Sequence, residues 1–194
     1  MDKIFITAAS QVTEADLREA RLGPRFGRLD LASQLVLIAV EKLEVNFDAQ
    51  PRDRTGICLG AQAGSLAADF EFWRGRAAAG GPSPTLFAYT LPSAAIGEIA
   101  IRHRITGPNL CLIGGDAVLS EAGDWLRRGE VEACLCAGCS VLTPEIAELI
   151  QSPSSARACA LFLRRGGGGW RQFLENDRDI ESVCQAFCQQ SPKH

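Results

Sequence analysis

The chain has 194 residues, 46% hydrophobic and 22% charged, enough apolar material for one ordinary globular domain with a real core. Lys and Arg number 20 against 23 Asp and Glu, and the net charge of -3 excludes a protein held to nucleic acid or lipid headgroups by bulk charge. No run approaches the roughly 18 uninterrupted apolar residues of a membrane span, and the Met1-Asp2-Lys3 opening lacks the pattern of a secretory signal, so a cytoplasmic location without nucleic-acid or membrane partners is expected.

In chain order, Lys3 to Ala9 (KIFITAA) is a short apolar, partly β-branched run, expected as a first strand in the middle of a sheet. Asp30 to Val45 reads as a helix capped by Asp30, with Leu31, Leu35, Val36, Ile38, Val40 and Leu43 spread over a wide face. Arg54 to Ala61 (RTGICLGA) is a second buried strand, and Ser65 is expected to cap a helix over Leu66 to Ala79. The run Gly80 to Pro84 breaks the chain before a helix over Pro92 to Arg104, small on one side (Ala95, Gly97, Ala100) and aliphatic on the other (Ile96, Ile99).

Asn109 to Gly114 is a third strand, Asp116 to Arg128 a helix, Val131 to Val141 a fourth strand and Ala156 to Leu163 a fifth. Gly166 to Gly169 is expected to turn, and Trp170 to Gln190 to add a short strand or loop and a helix on the same domain, which itself spans residues 1–165. Alternation of strands and helices predicts a single α/β domain: a mixed, mostly parallel five-stranded sheet with helices on both faces.

Eight cysteines stand at 58, 111, 134, 136, 139, 159, 184 and 188. In a chain of this size, with several of them inside apolar runs, they read as reduced, buried thiols. Cys134 and Cys136 share a strand face while Cys139 points the other way, so the trio is not expected to hold a metal, and no cofactor is expected. Gly60 to Ser65 (GAQAGS) lacks the lysine and the spacing of a phosphate-binding loop and reads as a tight turn. His103, between Arg102 and Arg104, reads as a solvated helix end and the three together as a solvated charge run, with contact to an acidic carrier protein as the alternative.

Several segments, in order, resemble the N-terminal half of β-ketoacyl synthases, the condensing enzymes of the thiolase-like superfamily. They are Lys3 to Thr13, Gly56 to Ser65, Pro84 to Asn109 (PTLFAYTLPSAAIGEIAIRHRITGPN) and Arg127 to Gly138 (RRGEVEACLCAG). The resemblance implies a thiolase-like half-domain spanning roughly residues 3–165. It also exposes two departures. The family's nucleophilic cysteine falls seven residues after the end of the G-P-N turn, which is Asp116 here, and the interval from there to the R-R-G-E glycine is shorter by roughly one helical turn. The family's second half, with its two catalytic histidines and a lysine, has no counterpart in this sequence, so condensation by this chain alone is not expected.

The resemblance implies a non-catalytic, chain-length-factor-like subunit of a type II fatty acid or polyketide system, paired with a full-length ketosynthase or with itself, with an acyl carrier protein as a further partner. The expected interface is the bare third strand (Leu110, Cys111, Leu112, Ile113, Gly114) with Phe87, Tyr89 and Ala95 beside it. Two alternatives stand beside it: a homodimeric acyl-binding or scaffold protein, and an acyltransferase or hydrolase using Cys111 or Asp116. A check free of the resemblance lies in the helix after Asp116, where Asp116, Ser120 and Asp124 form one polar face opposite Val118, Leu119, Ala122, Trp125 and Leu126. Burying that face unpaired would cost several kcal/mol per carboxylate, so one side of the helix is expected in water.

Overall fold

The computed structural model describes residues 3–77, 80–166, 168–174, 176–177 and 179–190. In chain order the elements are β1 (Ile4–Thr13), α1 (Leu31–Glu41), β2 (Thr55–Ala61), α2 (Leu66–Gly75), α3 (Pro84–Phe87), α4 (Ala94–His103), β3 (Asn109–Ile113), α5 (Val118–Arg128), β4 (Ala133–Leu142), α6 (Pro144–Leu149), β5 (Ser155–Arg165), β6 (Arg171–Gln172) and α7 (Ile180–Gln190). Ala78 and Ala79 at the expected end of the second helix, Gly167 in the glycine turn, and His194 lie outside the described residues.

One sheet of six strands runs in the order β3-β2-β4-β5-β1-β6. The α/β class holds, but the expected five-stranded, mostly parallel sheet does not. β2 pairs in parallel with β3 and β4, whereas β4–β5, β5–β1 and β1–β6 are antiparallel. The reversal at β5 follows from reach. The only helix between β4 and β5 is α6, six residues or about 9 Å long, while the ten residues of β4 climb about 33 Å. A helix that short cannot carry the chain back to the start of the sheet, so β5 returns antiparallel.

Both faces of the sheet are covered, which is why every residue of β2 is buried and its sequence shows no polar alternation. Against one face lie α1 and α4, whose Leu35, Val36, Ala39, Ile96 and Ile99 meet Ile57, Leu135 and Phe162. Against the other lie α5 and α7, whose Val118, Leu119, Leu126, Ile180 and Val183 meet Ile4, Cys136, Leu161 and Leu163. Asp30 caps α1 as expected, its carboxylate accepting from the Ser33 amide at 3.2 Å.

β1 lies one strand from the end of the sheet, not at its middle. It carries a register shift between Ile6 and Ala8, and this single extra residue switches which positions face which layer. Before it, Ile4 and Ile6 face α5 and α7; after it, the Ser10 hydroxyl donates to Ala39 O of α1 at 2.6 Å and the Gln11 amide donates to Glu181 O of α7 at 3.2 Å. α7 closes the lower part of its face, where a β-carbon on Gly138 would stand 2.9 Å from Ile180 Cγ2.

Candidate functional site: the edge strand and the turn that follows it

The approach to the site is built from backbone. The Thr106 and Gly107 amides both donate to Arg52 O, at 2.9 and 3.0 Å, and a β-carbon on Gly107 would collide with Thr55 O. Only glycine allows the G-P-N turn to sit this close to the entrance of β2. Pro108 O then accepts from the Ile57 amide at 3.0 Å, which starts β3 in parallel register, Ile57 opposite Asn109 through Ala61 opposite Ile113.

β3 is the last strand of the sheet and pairs on one side only. Leu110 and Leu112 turn toward the α5 layer and Cys111 toward the α1–α4 layer, each half-buried, and Ile113 is 70% exposed. Its outer row of backbone donors and acceptors has no partner strand among the described residues, the edge position that the family resemblance implies.

Gly114, at φ +91°, bends the chain out of the strand, and Asp116 follows on an exposed turn. Asp116 is not the cap of the next helix. α5 begins at Val118 with Ala117 at the cap position and no side chain closing it. The polar and apolar faces of α5 are as the spacing predicts, with Val118, Leu119, Ala122 and Leu126 buried and Ser120 exposed. Its other end closes through backbone, Gly129, at φ +71°, donating to Leu126 O at 3.2 Å and the Glu130 amide to Trp125 O at 3.0 Å, while the Arg54 guanidinium donates to Gly129 O at 2.8 Å. This is the structural work of the R-R-G-E segment.

Beside the edge strand lies a sparsely buried arm made by α2 and α3. Phe87 is 61% exposed and its ring contacts Phe72 at 5.5 Å, Leu91 is 62% exposed and Trp73 61%. The arm meets the edge where Ile113 Cδ1 and Pro92 Cγ flank Gly64, a glycine at φ +58°. Tyr89 is half-buried against the α1–α4 core, and burial raises its hydroxyl pKa. Ala95 differs from its expected neighbours in having almost no free surface: it is 4% exposed, because its face of α4 packs on the core, while Gly97 takes the outer side.

Other sequence expectations are redrawn. The Ser65 hydroxyl does not cap α2; it lies 2.9 Å from both Thr90 O and the Asp69 carboxylate. The GAQAGS turn is tied to the end of β4, where the Gln62 amide donates to Cys139 O at 2.9 Å and the Ser140 hydroxyl donates to Gln62 Oε1 at 2.6 Å. His103 is not a solvated helix end: its side chain is 13% exposed and its ring stacks on Phe47 at 4.3 Å. No reading of local sequence finds that contact, since the two residues are remote in the chain.

The thiols divide by face. Cys58, Cys134, Cys136, Cys159 and Cys184 line the α5–α7 layer, with Cys58 and Cys134 sulfurs 4.0 Å apart, whereas Cys139 lies in the opposite layer. Burial pushes the Cys139 thiol up to about 12 and raises Cys136 and Cys111 as well. A raised pKa leaves less thiolate, so Cys111 is a poor nucleophile in mid-strand. Among the described residues no group of histidine, cysteine, aspartate or glutamate side chains could hold a metal, and no helix is long and apolar enough to cross a membrane.

A sheet in which β5 runs against its neighbours β4 and β1, covered by helices on both faces and ending in an edge strand, a glycine bend and a helix, defines a thiolase-like half-domain. Residues 6–157 match the N-terminal domain of the β-ketoacyl synthases, and the chain belongs to that family. No curated protein matches it. Among solved structures it is similar to a chain of the ketosynthase (ApeO) in complex with its chain length factor (ApeC) from Xenorhabdus doucetiae, at 18% identity and a TM-score of 0.65, with 86% of this chain and 80% of that one covered. It is similar to the ishigamide ketosynthase/chain length factor at 21% identity and a TM-score of 0.66, covering 87% of this chain and 64% of that one. A third likeness, at 16% identity and a TM-score of 0.69, is to the AntDE:AntF complex of a type II PKS acyl-carrier protein with its ketosynthase, covering 85% of this chain and 63% of that one. The chain thus spans less than two thirds of the length of the second and third structures.

Proposed function

We propose that the protein is a non-catalytic ketosynthase-like subunit of a type II polyketide or fatty acid system, resembling a chain length factor, that pairs with a catalytic ketosynthase through β3. The observation that carries this reading is Asp116, an exposed carboxylate on the turn between the edge strand and α5, where the family resemblance puts the thiol. Condensation starts with a thiolate that takes up the acyl group as a thioester and needs imidazoles to handle the malonyl carboxylate and the developing enolate. A solvated carboxylate supplies neither function. His103 precedes β3 and Asp116 follows it, so the single histidine among the described residues sits at the other end of the strand.

In this reading β3 continues its sheet across the partner, and Phe87 and Leu91 on the arm beside it face the partner's acyl tunnel. The edge supports it: a strand of Leu, Cys, Leu and Ile without lysine, proline or bulge is an aggregation template unless another chain covers it. The test is mass measurement by light scattering, alone and mixed with full-length ketosynthases of type II systems. A one-to-one complex is expected. A stable monomer with no affinity for any of them overturns the proposal, and a tight symmetric self-dimer replaces it with a homodimeric scaffold.

A further inference from the structure

A polar cleft of about 320 Å³ lies where the end of α4 meets the loop that follows α1, on the chain ahead of β3, whereas Asp116 follows that strand. It is lined by Asn46, Phe47, Asp48, Arg102, His103 and Arg104. We infer that this cleft binds the oxyanion group, phosphate or carboxylate, of a small molecule, with Arg104 as its charge partner and His103 and Asn46 as its polar contacts.

Charge accounting around the cleft comes first. Arg102 is engaged by the Glu41 carboxylate and also donates to Leu22 O at 3.0 Å, and Asp48 is paired with Arg52 at 3.4 Å. The one carboxylate in the lining, Asp48, and the Glu41 carboxylate that holds Arg102 are therefore matched. Arg104 makes no ion pair among the described residues, so the cleft carries one uncompensated guanidinium, the group best suited to a forked hydrogen bond with an oxyanion.

The second observation is the backbone of Arg104. It closes α4 at φ +55° and ψ +34°, the left-handed region where helices commonly end on glycine and which side chains disfavour. No packing explains an arginine there, since the residue is exposed. The turn, in which the Arg104 and Ile105 amides both donate to Ala100 O, sets Arg104 on the rim of the cleft.

The third is His103. Its Nε2 is closed off from solvent without a hydrogen bond, 3.4 Å from the Glu41 carboxylate and out of alignment with it, while Phe47 covers the ring face at 4.3 Å. That leaves Nδ1 as the ring nitrogen a ligand could reach. The volume falls at the lower end of the range for small-molecule sites, enough for an oxyanion and a short attached body resting on the edge of Phe47.

The inference stands apart from the proposed pairing with a ketosynthase. Its test is an NMR titration of the full chain with inorganic phosphate and, separately, acetate, each at constant ionic strength against chloride. Saturable shifts centred on His103 and Arg104 are expected with at least one of them: phosphate alone marks a phosphate site, both mark a general oxyanion site. Arg104→Gln should weaken binding at least fivefold. Arg104→Gly should lose binding while raising the thermal midpoint, since glycine relieves the left-handed backbone. Absence of saturation by either anion overturns the inference, as does an Arg104→Gly protein that binds like the parent.

Discussion

Gly60 in β2 and Gly114 after β3 touch so closely that a β-carbon on Gly60 would stand 2.5 Å from Gly114 O and 2.8 Å from Val118 Cγ2. The glycine is what lets the turn bearing Asp116 fold back over the end of the neighbouring strand. Backbone cannot yield as a flexible side chain would, so Gly60→Ala is expected to cost about 2 kcal/mol, a fall of about 4–8 °C in thermal midpoint. Gly97 is the internal control: it lies in the middle of α4 with nothing within 4 Å of its absent β-carbon, and Gly97→Ala should stabilise by about 0.5–1 kcal/mol. Differential scanning calorimetry reads both, and equal effects in the two variants would refute the close approach.

Acid should find the Glu41 cluster. His103 beside it, with the Arg102 guanidinium, holds the Glu41 carboxyl below its ordinary range near 4.5. A carboxylate with a lowered folded pKa contributes stability that is fully present above its unfolded value and lost as pH falls through its folded one. Glu41→Gln should therefore flatten the loss of stability below about pH 5, measured by urea denaturation from pH 7 downward. Asp30 works with the opposite sign. Burial raises its pKa, so its ionised form costs stability at neutral pH that returns on acidification, and Asp30→Asn should steepen the acid limb that Glu41→Gln flattens.

Much of this architecture was legible in the sequence, and the exceptions have physical causes. The apolar runs of β2 and β4 announce strands buried on both faces, and the Asp30 cap fixes the start of α1. What an apolar run cannot tell is direction: the reversal at β5 comes from the short reach of α6, a helix of six residues that is too brief to show a period in the sequence. The extra residue at Thr7 hides the alternation of β1, since even positions face one layer before it and the other after it. At the site, the edge position of β3 and a carboxylate at the place where the family has its thiol were legible only through the resemblance to condensing enzymes, not from the residues of the strand themselves. The His103–Phe47 stack and the burial of Ala95 were not legible, because both depend on which helix face the loop after α1 and the core happen to meet.

The buried thiols report on α7. With Ile180 seated against Gly138 and Cys184 at 0% exposure, Ile180→Ala should cost about 2–4 kcal/mol and loosen the helix from the sheet. In the native protein, Cys188 is the one exposed thiol among the described cysteines and should react with a disulfide reagent first, Cys111 more slowly, and the other six only on unfolding. In Ile180→Ala, Cys184 and Cys159 should enter the early phase. If all eight thiols of the chain react together in the parent protein, the layer under α7 is not closed.

Position 116 is open enough to carry a reactive group, and substitution can show it. Asp116 is exposed two residues before the N-terminus of an eleven-residue helix. The positive end of that helix stabilises a thiolate, so Asp116→Cys should be alkylated by iodoacetamide several-fold faster than half-buried Cys111, with the rate followed by mass spectrometry of the two peptides. Condensing activity is not expected to return with it, since no imidazole stands nearby among the described residues. If the introduced thiol labels no faster than Cys111, the turn is covered within the chain itself.

The proposed pairing through β3 makes Ile113 its first test. Ile113 is 70% exposed at the end of β3 and gives the rest of the chain little more than a contact with the bare backbone of Gly64. Replacing it by lysine should leave the fold within about 0.5 kcal/mol of the parent. A charge on the open side of an edge strand is, however, what keeps such strands from pairing. Ile113→Lys should therefore weaken capture of a ketosynthase by about tenfold or more, about 1.4 kcal/mol, and suppress any self-association, with both read by sedimentation. Leu149, 66% exposed on α6 and far from the edge in the chain, supplies the control: Leu149→Lys should change neither. If the two lysines act alike, the partner does not use β3.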